Sequence, residues 1–175
     1  MKSIKNALVR TGLLISALFL FSFTSCKGDP EYRDVYVNLQ ATWVDSYSSY
    51  YEITSSTFKN YGEGYSSYEG DNLIIQPISE DSGTIFIKYT KAFCYTHSDF
   101  ENYIYTYDSD APDVGKWYAI SYKDLTSSSV KLSGAAGSTE GHYATSFDSL
   151  DDAIEEFTIE NGYFSIYSEC IKCND

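Results

Sequence analysis

From Tyr32 onward the chain consists largely of short runs in which apolar and polar side chains alternate. Residues 85–89 and 116–122 are typical runs, with β-branched or aromatic side chains at every second position. Because successive side chains of a strand point to opposite faces, a period of two predicts half-buried strands. Many short strands joined by tight turns favour an antiparallel sheet that closes into a barrel or folds into a sandwich.

Turn residues separate the predicted strands at short intervals. Gly, Pro, Asp and Asn cluster at residues 61–64, 69–72, 81–83 and 111–113, and these residue types favour chain reversals. The predicted strands cover residues 35–39, 43–45, 50–54, 57–61, 65–68, 72–76, 85–90, 93–96, 103–107, 116–122, 129–133 and 163–169.

One segment near the C-terminus has a helical period instead. Residues 149–152 form a capping-box pattern in which the Ser149 hydroxyl can accept a backbone N–H three residues on. The apolar positions then follow at helical spacing: Leu150, Ala153, Ile154 and Phe157. We therefore expect one short helix from Ser149 to Phe157, packed on the sheet. Asn161-Gly162 predicts a closing hairpin after it, and the Gly- and Ser-rich residues 133–146 predict the longest loop.

The first 25 residues have the composition of a signal peptide. A short positive region is followed by the uncharged stretch 11–23, and small residues then precede Cys26. The order Phe23-Thr24-Ser25-Cys26 resembles the bacterial lipoprotein signal, which implies that Cys26 becomes the acylated N-terminus, carrying chains such as palmitate. The alternative is an ordinary secretory peptide with an incidental Cys. We expect a signal peptide at residues 1–25, a lipidated N-terminus and tether at 26–33 and one domain at 34–175.

Acylation would anchor the protein to a membrane of the bacterial cell envelope without crossing it, facing outside the cytoplasm. Whether that membrane is the inner or the outer one is not decided by the sequence. Of the 12 basic residues three lie in the first 25, which leaves nine against 25 acidic residues, a net charge of −16. Such a charge disfavours nucleic acid as a partner, since phosphates repel it.

Several segments of the mature chain resemble one family. Ala41-Thr42-Trp43, residues 50–54, residues 115–119 and residues 155–158 are similar to the bacterial lipocalin-like lipoproteins, small barrels of the calycin type. The resemblance implies an all-β, up-and-down antiparallel barrel in which Trp43 closes one end. It also implies a cup that can hold a small apolar ligand, and Trp43 or Trp117 would then report its binding.

The sequence offers little support for catalysis. His97 and His142 have no Cys, His or acid at a spacing typical of a metal site, and no motif of hydrolases or nucleotide-binding enzymes is present. The paired acids at 151–152 and 155–156 fit a solvated helix face as well as a glycosidase site. We therefore expect a non-enzymatic protein with no catalytic residue, metal or cofactor.

Three cysteines remain if Cys26 is acylated: Cys94, Cys170 and Cys173. Exported proteins commonly form disulfides. We expect Cys94 to pair with Cys170 or with Cys173, and the sequence does not choose between them.

Tyrosine is the last informative feature, with 18 copies, eight of which lie in residues 47–51, 65–68 and 103–107. Tyr side chains provide large contact areas at low entropic cost, so such surfaces bind proteins or glycans. They can equally well cover the outer face of strands. Two functions follow: a carrier of a small apolar ligand inside the barrel, or an interaction module with a Tyr-rich exterior and a filled interior.

Overall fold

The computed structural model describes residues 32–99, 102–137 and 141–173. These residues form a closed antiparallel barrel of eight strands, with two short helices and one additional strand outside the barrel. In chain order the elements are α1 (Arg33–Leu39), β1 (Thr42–Asp45), β2 (Ser49–Ile53), β3 (Phe58–Gly62), β4 (Tyr65–Pro77), β5 (Gly83–Asp99), β6 (Asn102–Asp108), β7 (Trp117–Lys123), β8 (Ser129–Gly134), α2 (Leu150–Glu156) and β9 (Ser168–Lys172).

The barrel follows the chain order closely, as the alternating pattern predicts. Each of β1 to β5 pairs with the next strand, β7 pairs with β5 and β8, and β9 closes the ring by pairing with both β8 and β1. The first half of the 17-residue β5 belongs to the barrel, whereas residues 92–99 pair with β6 as a two-stranded ribbon. The sheet is therefore closed, and the β5–β6 ribbon extends beyond the barrel.

The prediction of a strand at residues 35–39 is wrong, because this segment forms α1. Val35 and Leu39 are buried, but Val37, which a strand would place on the same face, is 62% exposed. Residues four apart share a face in a helix as well as in a strand. The alternation was therefore compatible with both structures, and the exposure of Val37 distinguishes them.

The prediction of a turn at residues 69–72 is also wrong. These residues lie inside β4, where the pairing with β5 shifts register after Glu69 and again between Asp71 and Ile74. Asn72 has a positive φ of 51°, a conformation that Asn tolerates better than most residues. These turn-forming residues therefore produce a bulge that bends a long strand, and the chain does not reverse direction here. The predicted strands 85–90 and 93–96 likewise belong to one strand, β5.

Helix α2 lies between β8 and β9, and the Ser149 hydroxyl accepts the Asp152 N–H at 3.1 Å. No β-hairpin follows at Asn161-Gly162. Gly162 has φ +81° as a tight turn requires, but the Asn161 side chain donates to the Glu156 carbonyl at the end of α2. The turn thus caps the helix, and it brings Tyr163 against Phe157 with ring centroids 4.9 Å apart. Residues 163–167 are irregular, and the last strand begins only at Ser168.

Candidate functional site

Aromatic rings from five barrel strands meet inside the barrel. Successive centroid distances of 6.4, 5.6, 6.3 and 4.8 Å link the rings along β2, β3, β4, β5 and β7. Tyr68 on β4 also contacts Tyr118 on β7 at 5.3 Å, although these two strands do not pair. That contact crosses the barrel interior. We call the following residues the inner aromatic cluster: Tyr51, Phe58, Tyr68, Tyr89 and Tyr118.

Further large side chains lie in the same core. Trp43 on β1 is fully buried, and its indole N–H donates to the Leu39 carbonyl of α1 at 3.0 Å. Ile85, Ile87 and Ile120 are also fully buried in the same core. Closed barrels of eight strands are just wide enough for their own side chains to fill. The described strands therefore place five aromatic rings and Trp43 in the region where the lipocalin resemblance implies a cup.

The hydroxyl of Tyr122 is a polar atom without a partner in this core. The residue is 1% exposed, and its oxygen forms no hydrogen bond among the described residues. By contrast, the Tyr118 hydroxyl donates to the Ala135 carbonyl at 3.1 Å. A buried hydroxyl that loses its water without gaining a protein partner reduces stability.

We expect Tyr122→Phe to raise the free energy of unfolding by about 1 kcal/mol, because it removes the unpaired hydroxyl. Tyr118→Phe is the matched change, and we expect it to lower stability by about 1 kcal/mol because it leaves the Ala135 carbonyl without this donor. Urea unfolding followed by tryptophan fluorescence measures both. Equal losses in the two variants would contradict the assignment of Tyr122 as unpaired.

The tyrosine-rich segments divide between the two faces of the wall. Tyr51 and Tyr68 point inward, whereas Tyr50 and Tyr61, which are cross-strand partners on β2 and β3, stack outside at 5.3 Å with an interplanar angle of 10°. Tyr47, in the turn before β2, is 87% exposed. Tyr47, Tyr50 and Tyr61 form what we call the outer tyrosine patch. The side chains of Tyr65 and of residues 102–105 lie outside the described part of the chain.

Grooves open on the surface of the described residues, among them the following two. The first, of about 460 Å³, lies along β1, β8 and β9 and is lined by residues such as Asp45, Lys131 and Ile171. The second, of about 590 Å³, lies between β5, β7 and the segment 157–167. Their linings come from residues distant in sequence, so no local motif could have predicted either groove.

The predicted disulfide is not formed in this structure. Cys94, Cys170 and Cys173 are free thiols, and Cys94 on β5 and Cys170 on β9 lie on strands that are not neighbours around the barrel. Cys170 is buried, and this burial raises the pKa of its thiol to about 12. The thiol is therefore protonated and unreactive at neutral pH.

The two histidines have different settings. His97 pairs with Tyr103 in the β5–β6 ribbon. His142 lies with Nδ1 2.5 Å from the Glu156 carboxylate and contacts the ring of Tyr163 edge-on, so it fastens the loop after β8 to α2. No group of three or more His, Cys, Asp or Glu suited to a metal ion occurs within the described residues.

Cys26, the predicted lipid attachment site, lies outside the described residues. Neither α1 nor α2, the helices that the described ranges contain, is long and apolar enough to cross a membrane. Comparisons with protein-family models, with curated proteins and with solved structures found no match for this chain.

Proposed function

We propose that the protein is a non-enzymatic lipoprotein, anchored through Cys26 in the bacterial cell envelope, that binds a protein or glycan through its outer tyrosine patch. One contrast carries this proposal. The inner aromatic cluster and Trp43 occupy the barrel interior, whereas Tyr47, Tyr50 and Tyr61 face outward. Exposed tyrosines provide rigid contact area with a polar tip, which suits recognition of another molecule.

The lipocalin-like relationship is part of the same proposal. The eight-stranded meander and the burial of Trp43 against α1 support it. A carrier of a small apolar ligand remains the second candidate function, because eight-stranded barrels with apolar interiors can also hold one small molecule. Native mass spectrometry of the detergent-extracted protein separates the two. We expect the mass of the acylated chain alone, and a stoichiometric co-purified apolar molecule would favour the carrier.

Anchoring is tested at Cys26. We expect Cys26→Ala to abolish metabolic labelling of the protein with palmitate, because the thiol that accepts the diacylglycerol is then missing. Cys173→Ala, which also removes one thiol, is the control and should leave labelling unchanged. Label that persists in Cys26→Ala would contradict the anchor.

The outer tyrosine patch is tested with a double variant, Tyr50→Ser with Tyr61→Ser. Partners are sought by glycan-array binding of the purified protein and by photo-cross-linking from position 47 in intact cells. We expect one of these two readouts to give a signal that the double variant loses. Tyr143→Ser removes an exposed tyrosine outside the patch and serves as the control. A signal that both variants retain equally would overturn the role of the patch.

A further inference from the structure

The second groove, between the barrel wall and the segment after α2, has an apolar base. Phe86 on β5, together with Phe157 and Phe164, lines it, and these three rings are almost completely buried. Ser121 on β7 bonds the Tyr167 hydroxyl at 2.9 Å, which fixes the segment to the wall. The groove therefore has a firm base, with a volume in the range of common binding sites, about 300–1,000 Å³.

Two isoleucines lie in the lining of the same groove and are exposed to solvent. Ile159 is 62% exposed and Ile78 is 70% exposed. Single exposed apolar residues are ordinary, but apolar side chains exposed together beside an apolar cleft mark a surface that a partner covers. The apolar surface that the groove offers to a partner therefore comes from these two isoleucines.

The remaining lining residues are mostly acidic or neutral. Asp81, Asp124 and Glu160 contribute carboxylates. Asp124 pairs with Lys131 at 3.0 Å, whereas Asp81 and Glu160 take part in no ion pair among the residues that the structure describes. The one basic side chain of the lining, Lys123, has its ammonium group 3.7 Å from the centroid of the Tyr167 ring.

We propose that this groove binds an amphipathic segment of a partner protein that carries apolar and basic side chains. The apolar side chains lie against Ile78 and Ile159, and the basic ones lie against Asp81 and Glu160. Complementary charge speeds the encounter and selects the partner, while apolar burial supplies affinity. The groove lies on β5 and β7, whereas the outer tyrosine patch lies on β2 and β3. The groove is therefore a second site beyond the proposed function, and an experiment can contradict either proposal without contradicting the other.

The test uses a fluorescent peptide of alternating Leu and Lys, with fluorescence anisotropy as the readout on the full chain. We expect saturable binding that weakens about tenfold in Glu160→Lys, since an attraction becomes a repulsion. Ile159→Ser should weaken binding about fivefold through lost apolar contact. Both side chains are exposed, so neither change threatens the fold, and urea unfolding verifies this.

Matched controls lie outside the groove lining. Glu155→Lys makes the same charge reversal on the exposed face of α2, and Ile166→Ser removes an isoleucine that is 84% exposed. Both should bind the peptide within about twofold of the unmodified chain. Equal losses in variant and control would show general attraction to an acidic protein and overturn the site. Absence of saturable binding would also overturn the site. So would a Leu–Ser peptide that binds as tightly as the Leu–Lys peptide, because the ligand would then be recognised by its apolar side chains alone.

Discussion

Phe58→Ala is expected to lower the free energy of unfolding by about 3–5 kcal/mol, the cost of removing a fully buried aromatic ring. Phe58 has no solvent exposure, stacks on Tyr68 at 5.6 Å and contacts Tyr51 edge-on. Its removal leaves a cavity at the centre of the inner aromatic cluster, bordered by strands that cannot move inward without breaking their pairing. Urea unfolding followed by tryptophan fluorescence measures the loss.

The control is Phe93→Ala, which removes the same atoms from a position on the β5–β6 ribbon. Phe93 is exposed and contacts Tyr107 across the ribbon, so its loss should cost about 1 kcal/mol or less. If Phe58→Ala does not fold, Phe58→Leu keeps most of the volume and should cost about 1 kcal/mol. Similar losses at positions 58 and 93 would mean that the interior is not packed as described.

The barrel could be predicted from sequence because a strand has only two faces. Ala119 and Ser121 on the outer face of β7 are buried as well, so this strand is not half-buried as predicted. The inward positions of β7 are nevertheless the alternating set that the sequence singles out: Tyr118, Ile120 and Tyr122. Their cross-strand partners on β5, Ile85 and Ile87, also alternate with polar or outward-facing residues and lie in the core. Wherever one face must be buried, the pattern fixes which side chains enter the core.

The segments that were predicted wrongly have patterns that two structures share. The spacing of Val35 and Leu39 fits both a strand and a helix, and packing against Trp43 selects the helix. Gly70 and Asn72 suit a turn or a bulge equally, and pairing with β5 selects the bulge. In each case a packing or pairing partner outside the segment decides, and the pattern within the segment contains no information about that partner.

The functional surfaces were predictable only in part. Tyr50 and Tyr51 are adjacent in sequence, but only Tyr51 shares the parity of buried Ile53 and therefore enters the barrel. That rule could have separated the outer tyrosine patch from the core. The second groove had no such signal, since Phe86 and Phe164 line the same groove but are far apart in sequence.

Alkaline pH is expected to unfold the protein in a single cooperative step. Burial raises the pKa of Tyr51 to about 12 and that of Tyr68, Tyr89, Tyr118 and Tyr122 above the usual value for a phenol. Burial also raises the pKa of Cys170 to about 12. All six groups are protonated in both states below about pH 7.5, so the stability they confer is fully present there.

Above that pH the free energy of unfolding decreases as the pH rises. The unfolded chain releases these protons first, near the usual values of about 8.5 for a thiol and about 10 for a phenol, whereas the folded chain retains them. Each buried group then removes up to about 1.4 kcal/mol of stability per pH unit until its folded pKa is passed. Five phenols together remove on the order of 5 kcal/mol by about pH 11, which is comparable to the whole stability of a small domain.

Tyrosinate absorbance and near-ultraviolet circular dichroism, recorded together against pH, test this linkage. We expect the late part of the phenol titration to coincide with the loss of tertiary structure, because the buried rings ionise only when the barrel opens. Tyr122→Phe removes one buried phenol, so the free energy of unfolding should decrease less steeply with pH. Tyr143→Phe removes an exposed ring and should leave that slope as it was. Full ionisation of all tyrosines while the dichroism stays native would mean that the inner aromatic cluster is open to solvent.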